Sequence, residues 1–210
     1  MTDFLRNGPE DAPLTVLLAH GAGAAMDAPA MTAAAEALAA QGLAVARFEF
    51  AYMAARRTGG SRKPPPRADK LLDEYRAAVD ALPPGPLIIG GKSMGGRVAT
   101  MLADELHAAG RILGVLCLGY PFHPPGKPET LRTAHMETLS CPALIAQGTR
   151  DPFGTRDEVP GYPLSPTIEI LWLDDGDHDL KPRKRVTGLT AADHMATMAS
   201  RAAGWAKGLM

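Results

Sequence analysis

Residues 87–106 read LIIGGKSMGGRVATMLADEL. An apolar run stops at Gly90-Gly91, one serine stands between glycines, and a helical pattern then begins with Val98, Met101, Leu102 and Leu106 on one face. Gly91-Lys92-Ser93-Met94-Gly95 fits the spacing G-x-S-x-G. That spacing suits a strained strand-to-helix turn, because side chains two positions either side of the serine would collide with neighbouring backbone. The turn lifts the hydroxyl above the sheet at a helix N-terminus, where backbone N–H groups and the helix dipole favour negative charge. GGKS also resembles the end of a phosphate-binding P-loop. The glycine that opens such a loop would have to stand at position 86, which is Pro86 and has no N–H.

Working outward, short apolar runs alternate with helical patterns. Residues 14–20, 43–50, 86–91, 111–120, 142–148 and 167–174 are predicted strands, several of them apolar almost throughout, as strands covered on both faces are. Helices are predicted from Asp27 and Pro29 to about Gln41, over 67–82, over 94–109, and from Thr190 to the C-terminus. Right-handed crossovers then give an α/β fold, a three-layer α/β/α sandwich on a mostly parallel six-stranded sheet, with residues 1–210 as one domain. Two long loops remain, 51–66 (AYMAARRTGGSRKPPP) and 121–140.

Composition narrows the function classes. Of 210 residues, 46% are hydrophobic and 21% charged, and the net charge is −1, so nothing global attracts nucleic acid or an anionic membrane. MTDFLRNGPEDAP carries acids and no apolar run, so no secretory leader is expected, and a cytoplasmic location follows. Cys117 and Cys141 read as two reduced, packed thiols. No metal-ligand spacing or dinucleotide fingerprint is present, so no metal and no cofactor is expected.

A serine hydroxyl needs a base, and the base an orienting acid. Asp151 follows the predicted strand 142–148, and His178 follows 167–174 in a glycine-containing loop. Both stand where strand carboxyl ends gather ligands in parallel sheets. Asp174, Asp175, Asp177 and Asp179 crowd His178 and compete for the acid role, but sequence neighbours seldom face the imidazole correctly, which favours Asp151. Two backbone donors for a developing oxyanion are expected from Met94, after the serine, and from Ala22 in His20-Gly21-Ala22-Gly23. Gly21, Tyr52, Tyr120 and His123 are candidate substrate contacts, although Tyr120, Phe122 and His123 could equally pack beneath the pocket. Arg56, Arg57, Arg62, Lys63 and Arg67 make the first long loop basic, and KPRKR (181–185) adds a second cluster. Each is either solvated surface or, for the first loop, a border that attracts acidic substrates.

AHGAGA (19–24), RFEFAYM (47–53), GGKSMGGR (90–97), GYPFHPPGKPE (119–129), QGTRDPFG (147–154) and DGDHDLKPRK (175–184) together resemble the α/β-hydrolase superfamily, and within it the KANL/Tex group of predicted hydrolases. The resemblance implies a hydrolase sheet lacking its first strands, without a lid domain, and Ser93, Asp151 and His178 as the triad. Ala51 stands in RFEFAYM where the resemblance leads one to expect proline, a departure expected to loosen the loop that begins there. The function expected is hydrolysis of a small ester or thioester through an acyl-enzyme. The alternative is a hydrolase-fold binding or scaffold protein without turnover.

Overall fold

The computed structural model describes residues 3–57, 59 and 64–210. Among these described residues, seven strands form one sheet: β1 (Leu5–Asn7), β2 (Thr15–Ala19), β3 (Ala44–Phe48), β4 (Leu87–Lys92), β5 (Gly114–Leu118), β6 (Ala143–Gly148) and β7 (Ile168–Leu173). Their order is β1-β3-β2-β4-β5-β6-β7, and every neighbouring pair is parallel except β1 with β3.

The expected six strands are therefore corrected to seven. β1 is three residues long and shows no apolar alternation, so periodicity cannot find it. Tertiary contacts hold it instead: the Arg47 side chain on β3 donates to Asn7 Oδ1 (3.0 Å), and also to Met26 O and Thr32 Oγ1 (both 2.8 Å).

Helices α1 (Pro29–Ala39), α2 (Ala51–Arg57), α3 (Leu72–Asp80), α4 (Met94–Ala108), α5 (Lys184–Thr187) and α6 (Ala191–Lys207) connect and cover the strands. The two faces of β2 show why its run is apolar throughout. Leu17 and Ala19 join the core with Tyr75 of α3 and Val98 and Leu102 of α4. Val16 and Leu18 join the opposite core with Met31 and Leu38 of α1 and Met198 and Trp205 of α6. Two layers of helix thus bury both faces. The start of α6 is written locally: Thr190 and Asp193 form a reciprocal capping box.

The predicted helix over 67–82 is instead a 3₁₀ turn at Ala68–Lys70 followed by α3. Leu71, Tyr75 and Val79 are fully buried, whereas Leu72 is only partly covered. The long loop at 51–66 opens with α2. At its start the Ala51 N–H donates to Glu74 Oε2 (2.7 Å), a bond that proline could not make. Cys117 and Cys141 are buried and not joined. No helix among the described residues is long and apolar enough to cross a membrane.

Candidate active site

The turn after β4 is built as its glycines require. Ser93 is the N-cap of α4 with φ 50° and ψ −114°, a strained conformation for a residue with a side chain. A Cβ on Gly91 would stand 2.3 Å from Ala19 O, and one on Gly95 would stand 2.4 Å from the same oxygen. β4 and the start of α4 approach β2 so closely there that only hydrogen fits. Ser93 N–H donates to Leu118 O of β5 (3.1 Å), which ties the turn to the neighbouring strand.

Three loops at the carboxyl ends of β4, β6 and β7 converge. His178 Nε2 lies 2.9 Å from Ser93 Oγ, and His178 Nδ1 lies 2.8 Å from Asp151 Oδ2. Asp151 has no exposed surface. Besides the imidazole, Phe153 N–H donates to its Oδ1 and Gln147 Nε2 donates to its Oδ2 (each 2.9 Å). A buried carboxylate needs such donors to replace water. The Phe153 ring lies against His178, with centroids 4.2 Å apart. These contacts leave the imidazole one direction in which to present Nε2.

The other acids near His178 are engaged elsewhere. Asp175 takes both the backbone N–H and the guanidinium of Arg183, and those hydrogen bonds hold its carboxyl down at about 2. Asp177 Oδ1 accepts from the N–H groups of Asp179 and Lys181 (2.9 and 3.0 Å), forming the turn that carries His178. Asp179 pairs with Lys92 Nζ at 3.6 Å. Lys92, the wild-card position of the serine motif, is largely buried, and burial lowers its pKa. It links the serine strand to the histidine loop.

The loop after β2 is held from behind. Phe50 N–H donates to His20 Nε2 (3.1 Å), so the ring proton sits on Nδ1, which donates to Gly21 O (2.7 Å). Burial lowers the pKa of His20, consistent with a neutral ring. Tyr52 Oη donates to Ala22 O (3.0 Å). With these carbonyls drawn to His20 and Tyr52, Ala22 and Met94 both line a cavity of about 530 Å³ beside Ser93. Neither amide donates to another group of the protein among the described residues.

Gly21, Tyr52, Tyr120 and His123 are not among the residues lining that cavity. Tyr52 braces the loop that carries Ala22, and Gly21 supplies the carbonyl that His20 grips. Tyr120 is fully buried, its hydroxyl donating to Arg132 O (3.0 Å). His123 is 2% exposed, with its Nδ1 2.8 Å from Pro124 O. Of the two readings open for Tyr120 and His123, packing beneath the pocket describes their positions. Their strand exit turns inward under the cleft, a path that local sequence does not encode.

Gln147 escaped the sequence reading. It is fully buried, its Oε1 accepting from Tyr120 N–H (2.7 Å) while its Nε2 donates to Asp151, Tyr120 O and Gly154 O. The available signal was a lone amide at the end of the apolar run PALIAQG, since a polar side chain in a doubly covered strand must find partners.

The sequence matches the family described as an alpha/beta hydrolase domain over residues 12–207. The chain belongs to the α/β-hydrolase family. Among similar solved structures, a dienelactone hydrolase from Anabaena variabilis superposes with a TM-score of 0.72 at 20% identity, covering 97% of this chain and 90% of that one. A serine hydrolase without a lid from Xanthomonas campestris gives a TM-score of 0.70 at 19% identity, covering 97% and 89%. Est1E from Butyrivibrio proteoclasticus, solved with ferulic acid bound, gives 0.64 at 14% identity, covering 95% and 94%. These likenesses establish the fold, and an α/β-hydrolase of this architecture is compatible with a lid-less form.

Proposed function

We propose that this α/β-hydrolase is a serine hydrolase that cleaves a small ester or thioester through an acyl-enzyme. The observation that carries the reading is the continuous chain Ser93 Oγ–Nε2 His178 Nδ1–Oδ2 Asp151, at 2.9 and 2.8 Å. Serine, imidazole and carboxylate so linked give the serine a base within reach and the base a fixed tautomer. Esterases and a dienelactone hydrolase among the structural neighbours agree with a hydrolytic role.

In the reaction proposed, Ser93 Oγ attacks the acyl carbon as His178 Nε2 takes the hydroxyl proton. Asp151, buried and acceptor-only, holds Nδ1–H and stabilises the imidazolium. The carbonyl oxygen becomes an alkoxide facing the Ala22 and Met94 N–H groups. The tetrahedral species collapses, the acyl–oxygen or acyl–sulfur bond breaks, and the departing alcohol or thiol takes the proton from His178. Water then gives its proton to Nε2, attacks the acyl-enzyme, and releases the acid and Ser93. No metal or cofactor is assigned a part. The cavity of about 530 Å³ suits small substrates.

The test is labelling with a fluorophosphonate probe, which reacts with an activated serine, combined with a screen of short-chain esters and thioesters. Labelling of the wild type and its loss in a folded Ser93→Ala variant are expected. A wild type that neither labels nor turns over any of these substrates would favour a binding or scaffold role.

A further inference from the structure

The cavity beside Ser93 is lined by three arginines, Arg67, Arg97 and Arg132, and the reaction above uses none of them. Arg97 lies one turn along α4, its N–H bonded to Ser93 O (3.0 Å), so its side chain leaves the same helix face as the serine. Arg132 comes from the loop between β5 and β6, and both side chains line the cavity together with Ser93, Ala22 and Met94.

Neither guanidinium has a carboxylate partner among the described residues, whereas Arg57, Arg76, Arg183 and Arg201 each hold one. Arg97 Nε is buried and makes no hydrogen bond at all. The one acidic residue on the cavity wall, Asp69, is paired with Arg67 at 3.1 Å. The wall thus keeps an excess of positive charge next to the reacting serine. A buried donor left unmatched is costly, more so on a charged group, so a fold that keeps the Arg97 guanidinium unpaired beside Arg132 has a charge to receive.

The supports of these arginines are themselves ordered. Arg132 N–H donates to Phe122 O (2.7 Å) and its carbonyl accepts from the buried Tyr120 hydroxyl (3.0 Å), pinning the residue to the exit of β5. Thr100 Oγ1 donates to Arg97 O (2.8 Å) and meets His135 Nε2 (2.9 Å). Burial, and then the charge of Arg97, lower the pKa of Arg132. An anion set between the two would offset that repulsion.

We propose that Arg97 and Arg132 form a carboxylate subsite, so that the preferred substrate is an anionic ester or thioester, a half-ester of a dicarboxylic acid. This rests on the serine-hydrolase reading and adds its substrate class. A planar carboxylate accepts paired N–H donors from a guanidinium, which gives orientation as well as affinity. The anchored carboxylate would hold the scissile carbonyl over Ser93.

The test compares monomethyl glutarate with methyl 4-carbamoylbutyrate, an amide of nearly the same shape without the charge. The ratio of their kcat/KM values is measured in the wild type and in Arg97→Gln, Arg132→Gln and Arg201→Gln, with thermal unfolding checking the fold of each. A wild-type ratio of tenfold or more in favour of the anion is expected, falling near unity in the first two variants and unchanged in the third. Glutarate binding by calorimetry, weakened at least tenfold in the same two variants, reads the subsite without turnover. A wild-type ratio near unity, or a preference that survives both substitutions, overturns the subsite while fluorophosphonate labelling still upholds the hydrolase. Absence of labelling alongside arginine-dependent glutarate binding would instead overturn the hydrolase and keep the subsite.

Discussion

Asp151 and Asp175 stand 24 positions apart in the chain and do opposite work, although both lie close to His178. Asp151 is fully buried and accepts from His178, Gln147 and Phe153, whereas Asp175 is bound to Arg183 and Arg150 at the edge of the same loop. In the proposed reaction, Asp151→Asn presents an amide to Nδ1 and leaves His178 in the wrong tautomer, which should cost about 10⁴-fold in kcat with little change in fold. Asp175→Asn removes the clamp on Arg183 and should cost thermal stability more than turnover. Steady-state kinetics and thermal unfolding of both variants separate the roles, and a larger kcat loss for Asp175→Asn would exchange them. Gln147→Leu should be damaging through both routes. It strips one donor from Asp151 and leaves Tyr120 N–H and Gly154 O unmatched, a loss of roughly 2–4 kcal/mol by the cost of buried unpaired polar groups. Urea denaturation of the folded variant checks that figure.

At the scale of elements, the strand-turn-helix around Ser93 was readable because everything that decides it is local. The apolar run, the two glycines and the stripe of α4 lie within one stretch of chain. The order of Ser93, Asp151 and His178 was readable for the related reason that strand ends gather on one side of a parallel sheet. β1 and the split at Leu71 were not readable, since Arg47–Asn7 and the packing of Leu71 are tertiary events. Tyr75 shows how far such events reach. Its hydroxyl accepts from Gly90 N–H (2.9 Å) and donates to Gly90 O (2.6 Å), so α3 completes the hydrogen bonding of β4 three residues before the serine. Tyr75→Phe keeps the ring contacts with Phe48 and Phe50 but takes the hydroxyl away from both groups of Gly90. We expect a loss of about 1–3 kcal/mol, read by denaturant unfolding. Slower fluorophosphonate labelling should accompany it as the turn loosens; a variant as stable as the wild type would deny Tyr75 that role.

Across the whole molecule, charge is arranged differently from its appearance in the sequence. Of the basic first loop, Arg57 bridges Asp27 and Glu49, Arg56 lies over the Tyr52 ring, Arg67 pairs with Asp69, and Arg62 and Lys63 lie outside the described residues. The arginines that face the candidate site without a carboxylate partner, Arg97 and Arg132, come from segments that only the folded chain brings together. The same placement gives stability a pH dependence with two separable windows. Burial, and then the charge of Arg97, push His135 from 6.5 down to about 4, with Asp104 opposing and Thr100 as its hydrogen-bond partner. Between those values the unfolded chain binds the proton and the native chain does not, so native stability falls as the pH drops through this window. The ceiling is about 3 kcal/mol, and the partial exposure of the ring brings the expectation to about 1–2 kcal/mol. Asp175 acts lower: its carboxyl is depressed from 3.8 to about 2, so its contribution is full above 3.8 and is lost as the pH falls toward 2. Urea midpoints measured from pH 7 to pH 2.5 should therefore decline in two stages. His135→Gln should flatten the upper stage, while Asp175→Asn should reduce the lower one, to which the other depressed carboxylates, Asp27, Glu105, Glu158, Asp179 and Asp193, also contribute. An upper stage that persists undiminished in His135→Gln would assign it to another group, with His20, also depressed by burial, the next to substitute.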